Sequence, residues 1–489
     1  MLNKWKQTIS KFVCFVLTCQ LFILTTWAKP DWPSDTGIMA EAGIVMDMDS
    51  GAILYGQNIH LTYPPASITK ILTALIVLEN CNLDDTVTFS TTAVNQVEAD
   101  SGNKISVVAG DQLSVEDCLY SMLLVSCNQA ANALAEHTAG SISAFVNMMN
   151  EKLAQLGCQE SHFENPSGLN GDNQYVSAYD MALIAQAAYD NETLVEISSA
   201  TTHKIAPTTQ NPDGFTIRGE HRLCVTEDPS SPYYYPEAVA GKTGYLIKAG
   251  NTLVTYAVKD NRRLISVILK GQPRQYFVDG KALLEFGFRS FQDYTVADYE
   301  SRYVTGNETI NLDKGSFQAS DLMIDPDSVI TLPNSASLED ADITLGALPE
   351  ISPDNAVALL TYSYNDRTIG TAYLLAKDGV TIDGNDSASK AATTAFDTAN
   401  AEAPLATASN AEKPQRPHKH ISVAGVLITI LIVLLVLGVI GLISWFIYSK
   451  KKEAKALAKR RERRRQRLQR SGDEEEFERL LAEYKNKKK

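Results

Sequence analysis

The alternation of apolar and polar residues predicts that the folded body begins with strands and continues with helices. Residues 42–48 and 52–55 are rich in β-forming residues and flank the turn sequence Asp49-Ser50-Gly51, so we expect a β-hairpin there. Residues 67–80 have the apolar spacing of a helix. The same patterns predict helices at 115–137 (broken near Ser126), 179–189 and 281–286, and adjacent strands at 252–258 and 264–269. Strands at both ends with helices between them predict an α/β (α+β) domain, a sheet covered by helices.

The pattern of apolar and turn-forming residues changes near residue 297. Short β-like runs at 329–332, 356–362 and 370–375 alternate with turns rich in Asp, Asn and Pro. This pattern predicts a first domain over 29–296 and a small all-β domain over 297–382. Residues 383–420 contain ten Ala and few large apolar residues, which is typical of a flexible stalk.

Both ends of the chain have the patterns of membrane targeting. Residues 1–28 combine early lysines, a short apolar run and a small residue at the end, which predicts a cleaved signal peptide; an uncleaved anchor is the alternative. Residues 421–448 carry no charge over 28 positions, enough for a transmembrane helix. The basic tail 449–489 predicts a cytoplasmic C-terminus. Residues 29–420 would then lie outside the cell, in a single-pass protein of the cell membrane.

The net charge separates this tail from the rest of the chain. The whole chain has a net charge of −14, yet residues 450–489 hold 17 basic and 8 acidic residues, so the remainder has a net charge of −23. An acidic body is unsuited to nucleic acid, since affinity for phosphates comes from Lys and Arg. The tail is a stop-transfer cluster or a segment that contacts anionic lipid.

Three short motifs suggest nucleophilic catalysis when they are taken together and in order. Ser67 and Lys70 lie three residues apart at a predicted helix start, so they share one helix face. Ser126-Cys127-Asn128 interrupts a helical pattern, and Lys242-Thr243-Gly244 precedes a strand. A lysine crowded by a second cation loses basicity and can act as a base. The small Gly244 is expected to let a substrate lie against the strand edge.

Each motif alone is weak, because the chain contains decoys. The Ser-x-x-Lys spacing recurs at 101–104, 387–390 and 449–452, and Ser-x-Asn recurs at 101–103 and 363–365. None of these decoys opens or interrupts an apolar helix of the predicted body. The set at 67, 126 and 242 occurs in order in an exported chain, as it does in penicillin-binding proteins and class A β-lactamases.

The surrounding sequence resembles one family within that group. The strings YPPASITKILTAL, LLVSCNQAANALAEH, FENPSGL, SAYDMALIAQAA and AGKTGYLIKAGNTLV resemble the low-molecular-mass penicillin-binding proteins, the serine-type D-alanyl-D-alanine carboxypeptidases. The resemblance runs from about residue 40 to residue 291. It implies a penicillin-recognising, β-lactamase/transpeptidase-like fold, with an antiparallel sheet flanked by helices and the active site at the sheet edge. It also implies removal of the terminal D-Ala from peptidoglycan pentapeptides and inhibition by β-lactam antibiotics.

The resemblance implies a role for each matching residue. Ser67 would be acylated, Lys70 would be its general base, and Ser126 would pass a proton to the leaving amine. Asn128 would bind the substrate amide. The substrate carboxylate would be held by Lys242 and Thr243, and the oxyanion by the backbone N–H groups of Ser67 and Tyr245.

The chain departs from the family pattern before its closing helix. Relatives often have there an arginine that contacts the substrate carboxylate. Tyr276 stands near that place in this sequence, and we expect the nearby Arg274 to take over the contact.

No cofactor follows from the sequence. The resemblance requires neither a metal nor an organic cofactor, and the seven His have no metal-ligand spacing. Five Cys remain after the predicted signal, at irregular spacing, so no disulfide framework is implied.

Three alternatives share the same site. A D,D-endopeptidase would cut cross-links, and sequence barely separates it from a carboxypeptidase. A β-lactamase would need a water-activating Glu with an Asn four residues on, whereas Glu164 and Asn170 lie six apart. A non-catalytic penicillin sensor usually carries its signalling part before the penicillin-binding domain, and here only the short tail follows it.

Overall fold

The computed structural model describes residues 29–98, 101–349 and 351–382. Its central feature is a five-stranded antiparallel sheet that joins the beginning of the described chain to residues 238–271. From one edge to the other, its strands are Ile53–Gln57, Ala42–Asp47, Arg262–Gly271, Gly250–Lys259 and Ala238–Leu246. The predicted hairpin and the predicted strand pair are confirmed, and Ala238–Leu246, which carries Lys242, is an edge strand.

Both faces of this sheet are covered. Alternate residues of strand Ala42–Asp47 point into different cores: Ile44 and Met46 join one, and Val45 joins the other. The larger core includes side chains of helices Lys70–Asn80, Val115–Leu124, Asn128–Ala139, Ile142–Gln155, Ala178–Tyr189 and Glu192–Ser199. Helix Gln275–Ser290 covers the opposite face. It is longer than the predicted 281–286, because it begins directly after the turn at Arg274.

Short elements complete this part of the chain. Three two-stranded ladders pair Thr62–Tyr63 with Val176–Ser177, Thr86–Thr88 with Gln112–Ser114, and Thr202–Ile205 with Phe215–Arg218. Two further short helices are Thr91–Asn95 and Arg222–Val225.

A second antiparallel sheet follows. Its strands lie in the order Phe291–Thr295, Val329–Pro333, Arg367–Ala376, Ala356–Tyr364 and Asp342–Gly346, and Leu322–Ile324 pairs with Arg367–Ala376. The hairpin Thr309–Leu312/Gly315–Gln318, helix Val296–Tyr299 and the 3₁₀ turns Ala319–Asp321 and Leu338–Asp340 lie between these strands. The first strand precedes residue 297, where the composition changes.

The described residues can be compared with the predicted membrane segments. No helix among residues 29–98, 101–349 and 351–382 is long and apolar enough to cross a bilayer. The predicted signal 1–28, stalk 383–420, transmembrane helix 421–448 and tail 449–489 lie outside the described residues.

Arg262 joins the two sheets through ion pairs. Its Nη2 donates to Asp47 Oδ2 at 3.0 Å, and its Nε donates to Asp293 Oδ2 at 2.8 Å. Asp47 lies in the first sheet with its side chain fully buried, and Asp293 lies in the second. Burial and the neighbouring Asp293 raise the pKa of Asp47 to about 7, and the Arg262 guanidinium opposes this rise.

Above pH 7, where Asp47 is ionised in the wild type, we expect Arg262→Ala to lower the free energy of unfolding by about 3 kcal/mol, because it leaves the buried Asp47 without its cation. The neighbouring Arg263 is the matched control. It pairs with Asp49 and Asp190 at a more exposed position, so Arg263→Ala should cost about 1 kcal/mol or less. Urea unfolding midpoints measure both variants. Equal midpoints for the two variants would show that the ion pairs of Arg262 contribute no more to stability than those of Arg263.

Candidate active site

Ser67 lies in a 3₁₀ turn, Ala66–Thr69, that leads directly into helix Lys70–Asn80. The preceding Ala66 has φ 52°, in the left-handed region that L-residues rarely adopt. Hydrogen bonds hold the turn: Thr252 Oγ1 donates to Pro65 O at 2.9 Å, and Thr69 Oγ1 donates to Ala66 O at 2.9 Å. The main chain at the nucleophile is thus fixed to the sheet before any substrate binds.

Lys70 is completely buried and meets three oxygen atoms. Its Nζ lies 3.0 Å from Ser67 Oγ, 2.7 Å from Asn128 Oδ1, and within hydrogen-bonding distance of the Ser167 carbonyl. A neutral amine has two N–H donors and one lone pair. These match two acceptors that carry no proton, Asn128 Oδ1 and Ser167 O, and one hydroxyl that can donate.

The electrostatics favour that neutral amine. Burial lowers the pKa of Lys70 well below its ordinary value, and the Lys242 ammonium lowers it further. The second cation, which the sequence analysis gave as the reason, therefore does lower the pKa of Lys70, but by less than burial does. Lys70 is suited to take a proton from Ser67.

The carbonyl of Ser167 was not anticipated as part of the site. It belongs to the segment 165–168, in which Asn165 Oδ1 accepts the Gly168 N–H at 2.8 Å. Thr73 Oγ1 ties this segment to the helix of Lys70 by donating to Pro166 O at 2.7 Å. The only sequence signal was the Asn-Pro-Ser-Gly turn composition, which indicates a turn but not what the turn faces.

Ser126 and Asn128 stand at the break between two helices, as predicted. Helix Val115–Leu124 ends just before Ser126, and Asn128 begins the next helix. Ser126 has φ 60°, a strained conformation for a residue with a Cβ. Among the described residues, its half-buried hydroxyl makes no hydrogen bond, so it is available to a ligand.

The edge strand carries Lys242, Thr243, Gly244 and Tyr245 past the nucleophile. Lys242 is buried, and its Nζ donates to the Thr243 carbonyl at 3.0 Å. Burial lowers the pKa of Lys242 to about 8; Glu220 opposes this shift and Lys104 adds to it. Tyr245 is 63% exposed, just beyond the site.

Gly244 has a role different from the expected one. A Cβ at this position would lie 2.8 Å from the Ser67 nitrogen and 2.4 Å from Thr252 Oγ1. The glycine therefore lets the strand itself approach the nucleophile turn, rather than making room for substrate. The contact brings the backbone N–H of Ser67 close to the strand that carries the N–H of Tyr245.

Arg274, the predicted carboxylate-binding residue, is not hydrogen-bonded to the site residues described above. It is an exposed N-cap residue of helix Gln275–Ser290 with φ 62°. No hydrogen bond or ion pair among the described residues links it to Ser67, Lys70 or Lys242. Tyr276 is half-buried and packs on Phe277, with ring centroids 4.1 Å apart.

Two further expectations concern rival chemistries. Glu164 Oε2 accepts the Asn173 N–H at 3.0 Å, and Asn170 binds Glu98; neither residue hydrogen-bonds to Lys70. No group of His, Cys, Asp and Glu within the described ranges could hold a metal ion.

The class of protein follows from this geometry. A serine hydroxyl beside a buried lysine, at a sheet edge and with a second serine nearby, defines a serine acyl-enzyme hydrolase of the penicillin-recognising type. The family model described as D-alanyl-D-alanine carboxypeptidase matches residues 29–272.

Known proteins agree with this class. D-alanyl-D-alanine carboxypeptidase DacB2 of Mycobacterium tuberculosis is 34% identical over 265 residues, which cover 53% of this chain and 84% of that protein. The carboxypeptidase DacA of Haemophilus influenzae is 32% identical over 313 residues, covering 62% and 74%. The crystal structure of penicillin-binding protein 5 from H. influenzae superposes with a TM-score of 0.53 at 25% identity, covering 71% of this chain and 98% of that one. The chain belongs to the D-alanyl-D-alanine carboxypeptidase family and is a serine-type carboxypeptidase.

Proposed function

We propose that Ser67 attacks the carbonyl carbon between the two terminal D-Ala residues of a peptidoglycan stem peptide. Lys70 takes the hydroxyl proton as the Ser67 oxygen bonds to carbon. The C–N bond then breaks, and the proton passes through Ser126 to the amine of the departing D-Ala. The observation that carries this proposal is the buried Lys70 Nζ, 3.0 Å from Ser67 Oγ.

Deacylation again uses Lys70 as the base. A water molecule attacks the acyl-enzyme carbonyl while Lys70 accepts a proton from it. The acyl C–O bond breaks, Lys70 returns this proton to the Ser67 oxygen, and the shortened peptide leaves as a carboxylic acid that gives its own proton to the solvent. In both steps the backbone N–H groups of Ser67 and Tyr245 stabilise the oxyanion. β-Lactam antibiotics would acylate the same oxygen.

Substrate binding uses the edge strand and Asn128. The peptide extends along the free edge of Ala238–Leu246, and Asn128 binds its amide. Lys242 and Thr243 hold the terminal carboxylate. This last contact distinguishes a carboxypeptidase, whose substrate ends in a free acid, from an endopeptidase that cuts within a cross-link.

A peptide ending in D-Ala-D-Ala should be hydrolysed roughly ten- to a hundredfold faster than the same peptide as a C-terminal amide. A charge-assisted hydrogen bond to a carboxylate is worth about 1.5–3 kcal/mol, at about 1.4 kcal/mol per decade. The values of kcat/KM for the full-length protein in detergent test this prediction. Equal rates on acid and amide would favour the endopeptidase.

Arg274→Ala provides a second comparison for the same substrates. If the exposed Arg274 reaches the substrate carboxylate, its loss should slow the acid and spare the amide. Unchanged rates on both would leave Lys242 as the cation that binds the carboxylate.

We further propose that the protein is anchored in the cell membrane by residues 421–448, with residues 29–420 outside and the tail inside. The uncharged stretch and the basic residues behind it support this orientation. A stalk over 383–420 would separate the enzyme from the bilayer, and the tail has the charge to contact anionic lipid.

External protease on wall-stripped cells should therefore release an active fragment cut between residues 383 and 420. An epitope placed after Lys489 should stay protected until the membrane is opened, because the tail is cytoplasmic. An epitope placed within 383–420 is the matched control and should be removed at once. Digestion of the C-terminal epitope in intact cells would reverse the topology.

A further inference from the structure

A half-exposed ion pair lies at the rim of the active site and has no role in the proposed mechanism. Lys104 Nζ lies 3.3 Å from Glu220 Oε1, and the two side chains are 46% and 44% exposed. The chain segments of both partners are tied to the helix ends on either side of Ser126. Gln129 Nε2 donates to the Gly102 carbonyl at 3.2 Å, and the Glu220 N–H donates to the Leu124 carbonyl at 3.2 Å.

Glu220 also lies beside the strand of Lys242. It lines one cavity with Thr243, and the adjacent His221 places its Nε2 3.1 Å from the carbonyl of Val254, the residue opposite Lys242 in the sheet. From there the two charges act on the buried Lys242 with opposite signs. Glu220 stabilises its ammonium form and Lys104 destabilises it, with Glu220 the stronger influence. Within the described residues, Lys242 also interacts electrostatically with Lys70 and His221. Burial lowers the pKa of His221 to about 4, so His221 is neutral at pH 7 and adds no charge.

We propose that Lys104 and Glu220 are positioning residues that control the charge of Lys242, and through it the pH range in which the site binds a substrate carboxylate. The inference rests on the proposed function, since it assumes that Lys242 holds that carboxylate. Neither residue needs to touch the substrate, because each acts through the field at Lys242.

The position of Lys242 makes this control effective. Its pKa of about 8 is close to physiological pH, so a modest field changes the fraction of ammonium present. The ammonium exists below that pKa and is lost as pH rises through it. Removing Glu220 should move the loss to lower pH, and removing Lys104 should move it to higher pH.

The test is the pH dependence of kcat/KM for the full-length protein on the D-Ala-D-Ala acid, with the C-terminal amide as reference substrate. For Glu220→Gln, the fall of kcat/KM at alkaline pH on the free-acid peptide should begin about half a pH unit or more lower than in the wild type. This corresponds to a roughly threefold loss of kcat/KM at pH 9. For Lys104→Gln the fall should move up by a smaller amount. The alkaline limb on the amide should change little, and 1 M salt should reduce both shifts.

A charge swap tests whether the ion pair acts through its charges on Lys242 or only holds two chain segments together. Lys104→Glu combined with Glu220→Lys keeps an ion pair but reverses the field at Lys242. Charge control predicts an alkaline limb below that of the double variant Lys104→Gln/Glu220→Gln. A structural bridge predicts that the swap behaves like the wild type and that the double Gln variant is impaired at every pH.

Lys152 and Glu79 form the control pair. Their ion pair measures 2.7 Å, and Glu79 lies nine residues after Lys70 on the same helix, about 13 Å along its axis. Lys152→Gln should leave the pH profile unchanged. If the wild type hydrolyses the acid and the amide with equal kcat/KM, Lys242 does not hold the substrate carboxylate and the proposed function fails at that point. If the wild type prefers the acid but neither Glu220→Gln nor the charge-swap variant changes the pH at which kcat/KM falls, then Lys104 and Glu220 do not control the charge of Lys242.

Discussion

Ser67→Ala should abolish acylation by a fluorescent penicillin and reduce hydrolysis of a D-Ala-D-Ala peptide by at least about 10⁴-fold. The change removes the oxygen that bonds to the substrate carbon. Among the described residues, no other hydroxyl contacts Lys70 Nζ, so no substitute nucleophile is in place. Gel fluorescence of the labelled full-length protein and the rate of D-Ala release measure the two losses.

Ser387→Ala is the matched control for this result. Ser387 has the same three-residue spacing to a lysine, Lys390, but belongs to the predicted stalk. It should be labelled like the wild type. Retained labelling of Ser67→Ala, or loss of labelling in the control, would contradict the assignment of the nucleophile.

Lys70→Ala should leave penicillin binding intact and slow acylation by about 10³-fold, within the range for loss of a general base. The substitution removes the group that accepts the Ser67 proton. In the wild type, activity should fall as pH drops through the lowered pKa of Lys70, because only the neutral amine is a base. Lys70→Ala should lose this acid limb. Stopped-flow acylation at several pH values measures both effects.

Folding of this variant needs a separate check, since it strips a donor from Asn128 and from the Ser167 carbonyl. A thermal unfolding scan supplies it. Thr73→Ala is a useful comparison, because it removes the hydrogen bond to Pro166 in the same region while keeping the base. If Lys70→Ala, still folded, acylated at the wild-type rate, Lys70 would not be the base.

The sequence was sufficient for the parts of the site that depend on local spacing. Residues three apart at a helix start share a face, so the meeting of Ser67 and Lys70 was predictable. The break at Ser126 followed from a polar residue between two apolar helical runs. The edge position of Lys242 was implied by the resemblance, and the strand order agrees with it.

Contacts between distant segments could not be predicted. The Ser167 carbonyl reaches Lys70 across 97 positions, and the partner of Lys104 lies 116 positions away. Gly244 offered a plausible local reason for a glycine, but its actual neighbour is the Ser67 nitrogen. Such contacts depend on how the sheet brings separate segments together, which no periodicity encodes.

The junction between the two sheets also depends on contacts between segments that are distant in the sequence. Trp32, in a segment without regular structure, donates from Nε1 to the Leu54 carbonyl at 2.8 Å, and Arg367 of the second sheet lies over its ring at 5.3 Å. The composition change at residue 297 indicated a second β-rich part. It gave no sign that residues 29–32 would contact both sheets.

The carboxypeptidase mechanism at Ser67 is tested most directly by following one D-Ala-D-Ala peptide and one penicillin side by side on the full-length protein, with mass spectrometry of products and enzyme. We expect repeated release of a single D-Ala from the peptide, slow or negligible turnover of the penicillin, and a trapped penicilloyl adduct on the fragment that contains Ser67. Rapid penicillin hydrolysis with an intact peptide, or an adduct on any other residue, would contradict this mechanism.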